Sequence, residues 1–131
     1  MAITLKTIQR GEPGVPGGGE KKWYASANAT GEVDLDQLSE LIEMISTVSS
    51  IDIYGVLKGF IKVVPRELAD GNIVRLGDLG YLRISVSSEG YDSEEEVRAS
   101  SVTNTRIIFT PGKALDGMLN NLEFVIVNGQ P

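Results

Sequence analysis

The feature that most constrains the fold is a change of hydrophobic period at Gly71. Upstream of it, apolar residues recur at intervals of three and four, the spacing that lines one face of an α-helix. Leu35, Leu38, Leu41, Ile42 and Ile45 form one stripe; Ile53, Val56, Leu57, Phe60, Ile61, Val64 and Leu68 form a second. The segment TVSS (47–50) separates them and supplies Ser49 or Ser50 as an N-cap. Asp34, with Gln37 three residues on, has the form of a capping box for the first helix. The pattern predicts a helical hairpin. Pro65 lacks an N–H and crowds the carbonyl of Ile61, so a kink is expected in the second helix. Gly71 stands where a left-handed, helix-ending residue belongs.

Downstream the period is two. Val74 and Leu76 alternate with Ile73 and Arg75, and GDLG (77–80) predicts a tight turn or bulge. In YLRISVS (81–87), Leu82, Ile84 and Val86 face one way and Tyr81, Arg83, Ser85 and Ser87 the other, the mark of a half-buried strand. An acidic stretch (88–96) follows, then an expected strand at 97–100 and another at 105–110 that puts Ile107 and Phe109 on one face. A short helix over 111–121, with Pro111 near its start, and a strand at 122–127 complete the chain. At the other end, residues 2–9 and 21–29 alternate on either side of GEPGVPGGGE (11–20), which can sustain neither helix nor sheet. They read as a hairpin, with Trp23 and Tyr24 as its packing residues. The predicted order is β-β-α-α-β-β-β-β-α-β, an α+β class without internal repeat.

Composition narrows the chemistry. The 131 residues suit one domain with an added lobe. There is no cysteine and no histidine, which excludes thiol chemistry, Ser-His triads and the usual zinc ligands. The Gly/Pro loop is not followed by the Lys-Ser or Lys-Thr of a phosphate-binding loop. The run Glu94-Glu95-Glu96 lacks the spacing of a calcium loop and reads as a solvated segment. Nothing sets two carboxylates across a cleft, so neither an enzyme nor a cofactor is expected. No stretch approaches the ~20 apolar residues of a membrane span, and the first ten residues lack a signal peptide's apolar region, so a cytoplasmic location is expected. The net charge of −6 weighs against indiscriminate phosphate binding, which depends on Lys and Arg.

Three stretches carry a resemblance. In LADGNIVRLGDLGYLRI (68–84), Gly71, Val74, Leu76, Gly80 and Leu82 follow a pattern of Gly, then Val-x-Leu, then a Gly flanked by large apolar residues. FTPGKAL (109–115) has the form aromatic-x-x-Gly-Lys-x-Leu ahead of a last helix, and the spacing between them leaves room for two strands and an arm. Residues 34–120 thereby resemble the HU and integration host factor family of bacterial histone-like proteins. The additions at both ends resemble extended HU-related proteins of the Bacteroides type. The resemblance implies an HU-like domain at 31–121, comprising a helical hairpin, a β-saddle with a short arm, and a terminal helix. It also implies an N-terminal β-hairpin extension at 1–30 and a C-terminal strand and tail at 122–131. The three terminal strands are expected to form an accessory sheet.

By the same resemblance the chain would be a homodimer that contacts double-stranded DNA in the nucleoid, without any membrane. Lys113 would meet phosphate from the first turn of the last helix, and Arg83, Arg75, Arg98 and Arg106 would do so from the outward saddle face. One departure is large. Family members that bend DNA carry a basic arm with a proline that wedges between base pairs. Here the equivalent segment, EGYDSEEEVR (89–98), has no proline and is acidic. DNA contact without an intercalating arm is therefore the first reading. A protein-interaction or structural module that has lost DNA binding, with a partner on the acidic arm, is the alternative.

Overall fold

Both periods become the elements they imply. The computed structural model describes residues 1–127; the tail expected over 128–131 lies outside the described residues. In chain order the elements are β1 (Ile3–Gly11), β2 (Lys21–Ala27), α1 (Leu35–Glu43), α2 (Ser50–Ala69), β3 (Val74–Arg75), β4 (Gly80–Ser88), β5 (Val102–Pro111), α3 (Lys113–Leu119) and β6 (Phe124–Ile126). They fall into two units, Met1–Asp34 with the chain from Leu119 onward, and Leu35–Met118.

In the first unit the strands pair in the order β2-β1-β6. The β1–β2 hairpin is antiparallel, and β6 joins the other edge of β1 in parallel, with Ile3 opposite Phe124 and Leu5 opposite Ile126. The accessory sheet expected from the terminal strands is thus formed. Its pairing extends beyond the strand ends through Asn28 N–H to the Thr4 carbonyl and Val127 N–H to the Leu5 carbonyl, both 2.8 Å. The Gly/Pro loop turns at Pro16–Gly18, where Gly17 sits at φ +78°, outside helical geometry. The Lys22 ammonium pairs with Glu12, and the Arg10 guanidinium lies 4.6 Å from the Tyr24 ring centroid.

The second unit begins with the helical hairpin. The first helix was read through Ile45, but its α-geometry ends at Glu43. The Ile45 N–H bonds the Ile42 carbonyl (3.0 Å), an i to i−3 contact that tightens the last turn. Ser39 is fully buried, and its hydroxyl donates to the Leu35 carbonyl at 2.7 Å. Ser49 caps α2 by accepting from the Asp52 N–H (3.3 Å), while the Glu43 carboxylate takes the Ser50 N–H (2.6 Å) and ties the end of α1 to the start of α2. The helix runs on through Pro65 to Ala69. It stops in a Schellman motif. Gly71 sits at φ +89°, its N–H on the Leu68 carbonyl (3.0 Å) and the Asn72 N–H on the Glu67 carbonyl (3.1 Å).

The sheet of this unit has the order β3-β4-β5, antiparallel throughout. The strand expected at 97–100 is absent. Val97 and Arg98 lie between two 3-10 turns, Glu94–Glu96 and Ala99–Ser101, and the second takes up the other half of the segment. The cause is local: Ser101, buried, accepts the Arg98 N–H on its hydroxyl at 3.0 Å, and its own N–H bonds the Arg98 carbonyl at 2.9 Å. A side chain that takes up a backbone donor competes with a strand ladder. The β4–β5 hairpin consequently ends near Ser88 and Val102.

Little of the apolar surface is covered within one chain. Among described residues only Ile53 and Leu68 are buried large hydrophobics. Met44, Ile45, Val56 and Phe60 of the helical hairpin, and Ile84, Val86, Ile107 and Phe109 of the sheet, are exposed. No described helix is long and apolar enough to cross a membrane.

Candidate nucleic-acid interface

Register decides which side chains share a face. Residues directly opposite in an antiparallel pair project to the same side, and each strand alternates. Arg75 is opposite Tyr81, Arg83 opposite Ile108, and Arg106 opposite Ser85. Tyr81, Arg83 and Ser85 alternate along β4, so Arg75, Arg83 and Arg106 all lie on one face of the sheet. Ser87, Asn104 and Thr110 complete its polar part. The opposite face carries Leu82, Ile84, Val86, Ile107 and Phe109. No aspartate or glutamate occurs in β3, β4 or β5. The sheet is therefore locally cationic in a chain of net charge −6.

The three arginines are exposed, and two of them are oriented by neutral neighbours. The Arg75 guanidinium lies 4.9 Å from the Tyr81 ring centroid, a cation–π contact that leaves its charge intact. Arg106 donates from Nη1 to the Ser87 hydroxyl at 3.0 Å, across the strand pair. None of the three forms an ion pair among the described residues. Alternation had already placed Tyr81 and Ser87 on the side of Arg83, so the sequence held the signal for both contacts. The arginines were assigned without them.

Lys113 is set by a clasp between two glycines. The 3-10 turn Gly77–Leu79 leads into Gly80 at φ +141°, where a Cβ would overlap the Thr110 carbonyl oxygen. Gly112 sits against the same turn, its N–H on the Leu79 carbonyl at 2.9 Å, and a Cβ there would overlap the Asp78 carbonyl oxygen. The two glycine motifs noted in the sequence are thus two sides of one contact. This fixes Lys113 as the first residue of α3 and brings its ammonium 3.7 Å from the Asp78 carboxylate, with both side chains exposed. Sequence reasoning took Asp78 only as a turn residue and missed this pairing.

Arg98 does not join the others. With no strand at 97–100 it lies in the loop beyond the sheet, at the start of the Ala99–Ser101 turn. The five carboxylates of Glu89, Asp92, Glu94, Glu95 and Glu96 lie in the same loop, where the Ser93 hydroxyl donates to Glu96 at 3.1 Å. No cluster of three or more such residues could hold a metal ion among those described.

Comparison with known proteins points in one direction. Residues 1–125 match the family model described as an HU domain fused to a wHTH, Ig or glycine-rich motif. No curated protein matches the chain. A solved structure from Bacteroides vulgatus, provisionally named a bacterial DNA-binding protein, superposes with a TM-score of 0.64 at 13% identity. The alignment covers 99% of this chain and 50% of that one, so the chain spans about half the length of its neighbour. At that identity the likeness bears on the fold.

Proposed function

Because the chain belongs to the family of HU domains fused to wHTH, Ig or glycine-rich motifs, we propose that it is a histone-like architectural protein that contacts the phosphate backbone of double-stranded DNA. The observation that carries this reading is the acid-free sheet face with Arg75, Arg83 and Arg106 side by side. In this reading the sheet is the saddle, Lys113 adds a cation at its rim, and Arg98 contributes from the arm loop. The acidic, proline-free arm supplies no wedge, so contact proceeds without kinking the duplex.

The working unit is a homodimer in the nucleoid. The exposed apolar faces of the helical hairpin and of β4 and β5 form more apolar surface than a monomer ordinarily leaves in water. A symmetric partner would cover the same patch on both copies. Sedimentation at micromolar concentration should return a dimer, and Ile107→Lys, which places a charge on that face, should return a monomer.

The test of DNA contact is titration of a short duplex at low and moderate salt. The logarithm of affinity should fall with the logarithm of salt at a slope of about −4.5 per protomer, about 0.9 for each of the three saddle arginines, Lys113 and Arg98. No binding at low salt would overturn the reading. The acidic arm loop would then favour the alternative, an HU-like module for a basic protein partner.

A further inference from the structure

Three of the chain's cations lie on α2. Lys58, Lys62 and Arg66 occur four residues apart on α2, all exposed. That spacing stacks them along one side of the helix in steps of about 6 Å. The row runs along the side opposite Ile53, Leu57, Val64 and Leu68, the residues whose spacing marks the apolar face. None of the three forms an ion pair among the described residues. Lys58 lies 5.8 Å from the Tyr54 ring centroid, one turn earlier. Of the carboxylates on α2 and at its ends, Asp52 is exposed in the first turn, ahead of the row, and Asp70 is exposed past the last turn. Glu43 holds the Ser50 N–H, Glu67 accepts from the Asn72 amide at 2.9 Å, and Asp36 and Glu40 line a hollow with Ser50, Ile51 and Tyr54 at the N-terminal end.

A second feature adjoins the row. Gly55 and Gly59 lie one turn apart on the same side of α2, and a Cβ on either would meet nothing within 4 Å. Glycine is the poorest helix former after proline, and no packing among the described residues calls for it at these positions. What two bare turns provide is a flat strip beside three cations, where a bulky anionic surface can come against the helix backbone.

We propose that this side of α2 is a second phosphate-contacting surface, separate from the arginine face of the sheet, through which one molecule holds a second DNA duplex. The inference rests on the DNA-binding reading above and extends it from coating a duplex to bridging two. Charge selects the occupant. The same face of a second copy would set three cations against three, whereas a duplex presents a regular row of phosphates at which Lys and Arg release counterions.

The experiment mixes the full-length chain with a bead-tethered duplex and a free fluorescent duplex at low salt. Fluorescence captured on the beads reads bridging, and anisotropy with one duplex alone reads simple binding. In Lys58→Ala/Lys62→Ala/Arg66→Ala, capture should fall about fivefold or more while one-duplex affinity changes less than about twofold. Alanine favours helix, and an unchanged far-UV circular dichroism spectrum would show that α2 is intact. Capture undiminished in this variant would overturn the inference, as would one-duplex binding by the native chain without capture. Loss of one-duplex binding in parallel with capture would make the row part of the primary site and overturn it too. If the native chain binds no duplex at all, the DNA-binding reading itself fails, and this one with it.

Discussion

The two three-stranded sheets use their cations differently. In the accessory sheet Lys22 is neutralised by Glu12 from the adjoining loop. In the β3-β4-β5 sheet Arg75 and Arg106 are held by a phenol ring and a hydroxyl, as Arg10 of the accessory sheet is by Tyr24, and neither sheet has a carboxylate in a strand. A neutral support fixes the direction of a guanidinium and leaves its charge for a partner, while an acid uses that charge up. Among the described residues the difference is the loop acid Glu12 beside Lys22, which has no counterpart beside Arg75, Arg83 or Arg106. The two sheets are also held shut differently, one by a parallel strand from the far end of the chain, the other by the Gly80–Gly112 clasp.

The largest effect should come from that clasp. Gly80→Ala meets both a positive φ and a carbonyl oxygen, and should destabilise the second unit by about 3 kcal/mol or more. Trp23, the single tryptophan, lies in the accessory sheet and reports it separately. In urea, the circular dichroism transition should move to lower concentration while Trp23 fluorescence keeps its native midpoint. A shared shift of both signals would show the sheets to be one cooperative unit and break the comparison on its stability side.

Next in size is the charge contrast itself. Arg75→Ala/Arg83→Ala/Arg106→Ala should lower duplex affinity by roughly tenfold to a thousandfold and flatten the salt slope by about 3 per protomer. The matched change in the other sheet, Lys6→Ala/Arg10→Ala/Lys22→Ala, should stay within about twofold. Equal losses from the two triples would mean that both sheets contact DNA.

Much of this was legible because periodicity reports faces. Alternation over 81–87 put Arg83 on the outward side, and the helical spacing of 35–68 gave the hairpin and its Ser49 cap. The HU-like order rested instead on a resemblance carried by the glycine motifs of 68–84 and 109–115, and the accessory sheet was expected alongside it. What stayed hidden depends on contacts that spacing does not encode. Arg98 falls in the strand expected at 97–100, yet the Ser101 hydroxyl folds the segment into a turn. Asp78 and Lys113 are far apart in sequence and meet only because two glycines let their backbones touch. The row on α2 was visible as spacing, but its openness was not, since that depends on what fails to pack against Gly55 and Gly59.

A smaller effect is expected from the arm. Glu94→Gln/Glu95→Gln/Glu96→Gln removes three charges beyond the sheet while keeping side-chain size, and should raise duplex affinity about threefold to tenfold at low salt. Screening should erase the gain once the Debye length falls well below the reach of the loop. A gain that persists at high salt would mean that the arm acts by its shape, as a steric gate.

The smallest effect tests the rim, where the β3-β4-β5 sheet behaves like its counterpart. Lys113 is paired with Asp78 much as Lys22 is with Glu12, but both of its side chains are open to water at 3.7 Å separation. An exposed pair of this kind contributes at most about 1 kcal/mol, so releasing Lys113 can strengthen DNA binding by no more than about fivefold. Asp78→Asn should give a gain of roughly twofold to threefold at low salt. Its fold should survive, because the turn is held by backbone bonds, Gly112 N–H to Leu79 and Leu76 N–H to Gly80, that the substitution leaves in place. Lys113→Ala separates the two ways Asp78 could act. If the carboxylate works by occupying Lys113, Asp78→Asn gives nothing in the Lys113→Ala background. If it gives the same gain there, Asp78 repels phosphate on its own account, and the rim cation is not a contact.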